Sequence, residues 1–213
     1  MKIGFTTGYR EEFWKGWPWG TQMGGSELMV TEIACALADQ GHAVTVRLPR
    51  PMGLQFDRGV AWIGSFVEPQ AYDVLFSFDD FAIKDKAMYE VLVACRSDPP
   101  QHCNWHQMIF LSKTHARLMG HPDRPAIGGG VSLADYEPMV GRRKGLIYTS
   151  SPDRGGHHAE IIAGLAGEPF TASYHPHAMS RKNLIYAQRH ARALIHPCDP
   201  VRPSEFFCMS VLE

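Results

Sequence analysis

The sequence predicts an α/β protein made of two successive series of strands, loops and helices, the second series being the shorter. Short apolar runs of strand length alternate with segments of helical periodicity along most of the 213 residues. Glycine-bearing loops lie between a strand and a helix in both halves of the chain. The polar segment 141–144 then predicts a boundary, with one unit at residues 1–136 and a second at 137–213.

The first strand–loop–helix unit surrounds the motif Gly24-Gly25-Ser26-Glu27. Lys2 to Phe5 predict a strand before it, and apolar residues recur at helical spacing after it as far as Ala38, with Ser26 as the expected N-cap. A strand at 43–46 follows. The helix N-terminus of such a unit lies at the carboxyl edge of the sheet, where free N–H groups and the helix dipole favour a phosphate. The alternative is that the two glycines only form a connecting loop and bind no ligand, because their spacing fits neither the dinucleotide fingerprint nor the P-loop.

The remaining elements are predicted from periodicity and from cap and turn residues. Residues 48–59 are expected to form a loop. Further strands are predicted at 60–63, 72–76, 91–95, 108–111, 145–149 and 193–196, and further helices at 81–89, from a Ser112 cap to Met119, at 159–165, at 183–192 and in a final turn from 204. The loop at 9–23 carries three tryptophans, which either stack on a sugar or pack the loop against the protein.

Composition limits the class of protein. A hydrophobic content of 45% is enough for ordinary buried cores. The net charge is −1 without a long basic run, so no nucleic-acid partner is expected. No apolar segment approaches the roughly 20 residues that span a bilayer, and no leader is recognisable, so we expect a cytoplasmic protein without a transmembrane segment, with peripheral membrane association left open.

Cysteine and histidine are present without the spacing of a cross-linked or metal-binding protein. The five cysteines are odd in number and irregularly spaced, which indicates reduced thiols. The segment 101–106 brings two histidines and a cysteine together, but no second ligand pair accompanies it. No metal is therefore expected.

Six segments stand in a characteristic order: the motif at 24–27 with its helix, Gly41-His42-Ala43-Val44-Thr45-Val46, 111–113, Ile127-Gly128-Gly129-Gly130-Val131-Ser132, the loop at 148–155, and 205–213. In this order they resemble segments of the large family of retaining glycosyltransferases with the GT-B fold that carries a Glu-(seven residues)-Glu motif, the glycosyltransferase family 4-like proteins. The similarity extends over nearly the whole chain.

The resemblance implies two Rossmann-like units: an acceptor-side domain at 1–136 and a partial nucleotide-sugar-binding domain at 137–213. It implies transfer of a sugar from a nucleotide-diphosphate donor to a sugar, glycan or lipid-linked acceptor, with retention of configuration and with no cofactor besides the donor. Arg154 would stabilise the charge on the leaving diphosphate. Glu205 would act on the transferred sugar as the catalytic residue. The donor-binding residues would be Gly24, Gly25, Ser151, Arg154, Glu205 and Glu213, the last of these at the ribose.

The chain also departs from that family. The usual Arg and Lys of the second phosphate loop are reduced to Arg154, and the second unit has about half the expected length, ending at Glu213. A nucleotide- or sugar-binding module without catalysis, or a fragment of a longer transferase, is therefore the alternative function. A dinucleotide-binding protein is disfavoured because G-x-G-x-x-G is missing.

Overall fold

A computed structural model of the chain describes residues 1–7, 25–49, 51–78, 85–95, 105–128, 141–150, 155–174 and 179–196. These residues form a mixed α/β structure, which confirms the predicted class. They fall into two compact units, the first made of the described residues up to Gly128 and the second of those from Gly141 onward.

Unit 1 contains a sheet of seven strands. The elements are β1 (Lys2–Thr7), α1 (Gly25–Asp39), β2 (Ala43–Arg47), β3 (Gln55–Asp57), β4 (Val60–Ile63), β5 (Ala71–Phe78), β6 (Lys86–Ala94), β7 (Gln107–Phe110) and α2 (Lys113–Leu118). The strand order is β3-β4-β2-β1-β5-β6-β7, and every neighbouring pair is parallel except β3 with β4. Later strands therefore lie on both sides of β1, and the strand order reverses there.

The core of unit 1 lies between α1 and the central strands. Five of the six residues of β1 are buried, as expected for an interior parallel strand covered on both faces. The apolar stripe of α1 packs against β1, β2 and β4. The buried residues of this cluster are Ile3, Phe5, Val30, Ala34, Cys35, Val44, Val46, Leu48, Val60, Trp62, Phe78 and Val93. Burying a large apolar side chain of this kind contributes about 1.5–3 kcal/mol, so the stripe read from the sequence decides where α1 lies.

Two helix N-caps were predicted in unit 1, and both can be compared with the structure. The Ser112 cap is confirmed, because its Oγ accepts a hydrogen bond from the backbone N–H of His115 at 3.0 Å. The Ser26 cap is wrong, because α1 already begins at Gly25 and Ser26 lies in its first turn. Packing of the apolar stripe, with Val30 and Ala34 fully buried, sets the position of this helix more strongly than one capping side chain does.

The predicted helix at 81–89 is wrong over its described part. Residues from Lys86 belong to β6, which pairs with β5 in parallel from Lys86 opposite Ala71 onward. A short segment without a strong helical period takes the structure that its neighbouring strand offers, because strand preference depends on cross-strand pairing. The same reason explains β3, which lies inside the loop expected at 48–59 and pairs with β4 through a tight hairpin.

Unit 2 contains a smaller sheet. Its elements are β8 (Leu146–Tyr148), α3 (Gly156–Ala166), β9 (Phe170–Ala172), α4 (Arg181–His190) and β10 (Ala193–Leu194). The order is β10-β8-β9, and both neighbouring pairs are parallel. Strand β9 was not predicted from the sequence. The final helical turn expected from residue 204 lies outside the described residues.

None of the helices in the described ranges is long and apolar enough to cross a membrane.

Candidate functional site

The predicted donor-binding residues fall mostly outside the part of the chain that the structure describes. Gly25 is described and is the first residue of α1. The others, Gly24, Ser151, Arg154, Glu205 and Glu213, lie outside the described ranges. Their predicted roles stay predictions, and the described residues around them define what kind of site each unit can form.

In unit 1, the strand order reverses at β1, and the carboxyl end of this strand is the position at which a ligand crevice is expected. Its neighbours β2 and β5 continue in opposite directions across the sheet, and in open α/β sheets ligands bind outside the carboxyl ends of the strands at such a reversal. Helix α1 ends at Asp39, only a few residues before β2 starts at Ala43. The C-terminus of α1 therefore lies near the amino edge of the sheet, and its N-terminus points toward the carboxyl edge.

Two buried hydroxyl groups lie at this end of β1. Thr6 is 6% exposed and Thr7 is 5% exposed, and neither Oγ1 has a hydrogen-bond partner among the described residues. A buried hydroxyl without a partner costs about 1–3 kcal/mol. Side chains alternate along a strand, so Thr7 shares the face of Ile3 and Phe5, which pack with α1. Its hydroxyl therefore lies on the α1 side of the strand end.

The first turn of α1 also holds a carboxylate. Glu27 is 2% exposed, and its backbone carbonyl accepts a hydrogen bond from Thr31 Oγ1 at 2.9 Å. A carboxylate is favoured at the positive end of a helix dipole.

Unit 2 repeats the arrangement of strand, loop and helix N-terminus at the end of β8. Helix α3 has Gly155 as its N-cap with φ 99°, no side-chain cap and no acidic residue in its first turn. Thr149 follows β8, and its buried Oγ1 has no partner in the described part of the chain. A Cβ at Gly156 would collide with the hydroxyl of Tyr174, so only glycine allows this close approach. The first N–H groups of α3 are thus left free of side-chain caps, as an anion site requires.

A buried ion pair in unit 1 is structural rather than part of a ligand site. Arg47 Nε donates to Asp85 Oδ2 at 2.6 Å, and its Nη2 donates to Asp85 Oδ1 at 2.7 Å. The remaining N–H groups donate to the backbone carbonyls of Gly64, Val67 and Glu68 at 2.8–3.1 Å. A guanidinium has five N–H donors, and all five are used here, so Arg47 has none left for a phosphate.

Cys35 lies in the core of unit 1, where it is poorly placed to act as a nucleophile. Cys35 is fully buried, and burial raises the pKa of its thiol, so the reactive thiolate is disfavoured. The described residues contain no group of three or more His, Cys, Asp or Glu side chains that could hold a metal ion.

No family model matches the chain, and no curated protein is significantly similar to it. What can be stated of its class is an α/β protein in which each unit places a helix N-terminus beyond the end of a parallel strand. Glycines mark both junctions in the sequence, whereas Thr6 and Thr7 were not predicted as site residues. The signal that could have found them is a polar pair ending an otherwise apolar buried strand.

Proposed function

We propose that this protein is a retaining glycosyltransferase that binds a nucleoside-diphosphate sugar and transfers its sugar to an acceptor. One observation carries the proposal. In each unit a buried hydroxyl without a described partner, from Thr7 or Thr149, lies at or directly after the end of the strand that precedes a helix N-terminus. Helix N-termini bind phosphate through free N–H groups and the dipole, and hydroxyl groups add further donors to phosphate oxygens.

The order of motifs supports the sugar-nucleotide part of the proposal. Under it, both units are Rossmann-like, and Arg154 in the loop before α3 faces the diphosphate. Breaking the bond to the sugar leaves negative charge on the diphosphate, which a guanidinium and helix N–H groups stabilise. Glu205 and Glu213 would hold the hydroxyls of sugar and ribose while the bond breaks. Retention of configuration follows from the resemblance alone.

A binding module without catalysis is the second candidate. The strands in the described part of unit 2 have three, three and two residues, which is little support for a catalytic group. Catalysis needs groups held within about 0.5 Å, whereas binding tolerates looser placement. Incubation with labelled nucleotide sugars separates the two: transfer or hydrolysis supports the enzyme, and binding without turnover supports the module.

The nucleotide is tested by thermal unfolding with a panel of uridine and guanosine diphosphates and their sugars. A ligand that binds only the folded state stabilises it by about 2.7 kcal/mol at a hundredfold excess over Kd. Arg154→Ala should reduce the shift in Tm, while Arg117→Ala, an exposed arginine on α2, should leave it unchanged. If no nucleotide moves the Tm of well-folded protein, the proposed ligand is wrong.

Replacing Thr7 tests the hydroxyl itself. Thr7→Val keeps the shape of the side chain and removes a buried oxygen without a described partner. The free protein should therefore be as stable as before or more stable by about 1 kcal/mol, while the ligand-induced shift in Tm decreases. The control is Thr31→Val, whose hydroxyl donates to Glu27 O, and which should destabilise the free protein instead. An unchanged ligand shift in Thr7→Val would remove Thr7 from the site.

A further inference from the structure

The described residues of unit 2 carry an excess of positive charge. They include seven Lys and Arg against two Glu, whereas the whole chain has a net charge of −1. This described part of unit 2 therefore has a net charge of +5, seven cations minus two carboxylates.

Much of this charge meets at the amino edge of the three-stranded sheet. The backbone N–H of Lys144 donates to the carbonyl of His190 at 3.0 Å, and that of Arg192 donates to the carbonyl of Gly145 at 2.8 Å. These bonds hold the segment before β8 against the C-terminus of α4. We call the resulting cluster the basic edge; it consists of Arg142, Arg143, Lys144, Arg189 and Arg192.

Most cations of the basic edge are exposed. Residues 142–144 are exposed, and the Arg192 side chain is 68% exposed while its Nη1 pairs with Glu168 Oε1 at 2.5 Å. The dipole of α4 explains the cations in its last turn, because a helix C-terminus favours positive charge. It does not explain three consecutive cations before β8, which belong to no helix and repel one another.

An exposed aromatic ring lies beside the cluster. Tyr186 is 62% exposed and stacks on His190 with ring centroids 3.8 Å apart, one helical turn from the basic edge. Tyrosine is enriched where protein meets the boundary of lipid and water, because its ring is apolar and its hydroxyl is polar.

We propose that the basic edge docks the protein on an anionic lipid surface. Clusters of four to eight Lys and Arg bind anionic headgroups by summed electrostatic attraction. Long flexible side chains on an open edge are better suited to bind a surface with many anionic headgroups than to bind one small anion. Single-stranded nucleic acid is disfavoured because it stacks successive bases on several aromatic rings, and the described part of this edge presents one. The strand ends where α3 begins lie at the opposite edge of the sheet, so docking leaves them open. The inference does not depend on glycosyl transfer.

Co-sedimentation with vesicles tests this surface. Vesicles of phosphatidylcholine alone are compared with vesicles containing about 30% phosphatidylserine, whose surface potential attracts basic segments. The test variant is R142Q/R143Q/K144Q. The matched control K86Q/K113Q/R117Q removes the same charge from exposed positions of unit 1, and circular dichroism confirms that both variants fold.

The protein should bind the anionic vesicles, ignore the neutral ones and bind less as salt is raised. Each lost cation should lower the partition coefficient about fivefold, so the test variant should bind on the order of a hundredfold more weakly, with little change in the control. Equal losses in both variants, or no preference for anionic vesicles, would overturn the proposal. The proposal would also be overturned if the protein did not bind vesicles but bound a fluorescent oligonucleotide through residues 142–144.

Discussion

At the scale of single residues, the ion pair between Arg47 and Asp85 has the largest expected effect on stability. The Asp85 side chain is fully buried, and its Oδ1 also accepts the backbone N–H of Gln70 at 2.7 Å. Asp85→Asn would leave the Arg47 guanidinium, whose side chain is 15% exposed, without its counter-charge. Removing one partner of a buried pair typically costs about 3–5 kcal/mol, and we expect a loss in this range from urea unfolding.

The control for Asp85 is an exposed pair of the same kind. Arg58 Nη1 lies 3.5 Å from Glu32 Oε1, with the two side chains 42% and 50% exposed. Water screens such a pair, so Glu32→Gln should cost less than about 1 kcal/mol. Equal effects of the two substitutions would show that Asp85 does not hold the segment that contains Gly64 and Gln70.

Tyr72 makes the stability of unit 1 depend on pH in the alkaline range. Burial raises the pKa of Tyr72 to about 12, and the nearby Asp85 carboxylate adds to the effect. The folded-state pKa lies above the ordinary value of about 10, so the ionised phenolate is disfavoured in the fold. The resulting stability is fully present below about pH 10 and is lost as the pH rises through 12.

Unfolding measured from pH 8 to 12 tests this dependence. Tyr72→Phe should flatten the loss of stability above about pH 10, because it removes the group that titrates. Tyr186→Phe, at an exposed ring, is the matched control. A Tyr72→Phe profile that falls as steeply as that of the parent protein would contradict the assignment.

At the scale of elements, the β3–β4 hairpin contains a strained residue. Arg58 has φ 47° and Gly59 has φ 74°, the positive values at both central positions that a type I′ turn requires. A side chain other than glycine, asparagine or aspartate is disfavoured there. Arg58→Asn should therefore stabilise the protein by about 0.5–1 kcal/mol, even after the weak pair with Glu32 is lost.

A substitution at Gly59, the second central position of the turn, should change the stability in the opposite direction. Gly59→Ala puts a side chain at positive φ and places its Cβ 3.3 Å from Ala38 Cβ, so it should destabilise by about 1 kcal/mol or more. Both variants are compared with the parent by thermal unfolding. Destabilisation by Arg58→Asn would mean that the contacts of the arginine outweigh its backbone strain.

At the scale of the whole molecule, the two units differ in how much apolar surface they bury. The core of unit 1 contains large side chains such as Phe5, Trp62 and Phe78, whereas the buried side chains in the described part of unit 2 are largely alanines, with Ile147 and Tyr148. Local stability follows buried apolar contact. Amides of β1 and β5 should therefore exchange hydrogen most slowly, and those of β8 and β9 faster.

Hydrogen exchange followed by mass spectrometry measures this difference peptide by peptide. Bound nucleotide should slow exchange in unit 2 if the proposed donor binds there, because ligand binding shifts the equilibrium toward the closed state. Protection of β8 equal to that of β1 in the free protein would contradict the ranking of the two units.

Much of the fold could be predicted from local pattern. The stripe through Val30 and Ala34 and the strands at 2–5, 43–46 and 60–63 were found because their periods report which face is buried. The start of β6 at Lys86 and the strand β9 were not, because short segments of mixed polarity take their structure from the strand beside them. For the candidate sites, the glycine loops marked both junctions, but the unpartnered hydroxyls of Thr6 and Thr7 could not be recognised before the neighbours of β1 were known.

The sequence by itself determined the α/β class, the position of α1 and the two loops at which a phosphate is expected, since periodicity and glycine are local properties of the chain. Only the tertiary structure decided that β1 lies between β2 and β5, that Arg47 donates its hydrogen bonds to Asp85 and to backbone carbonyls, and that Lys144 contacts the end of α4. These features join residues far apart in sequence. Their energies arise from burial and pairing that exist only once the strands have assembled.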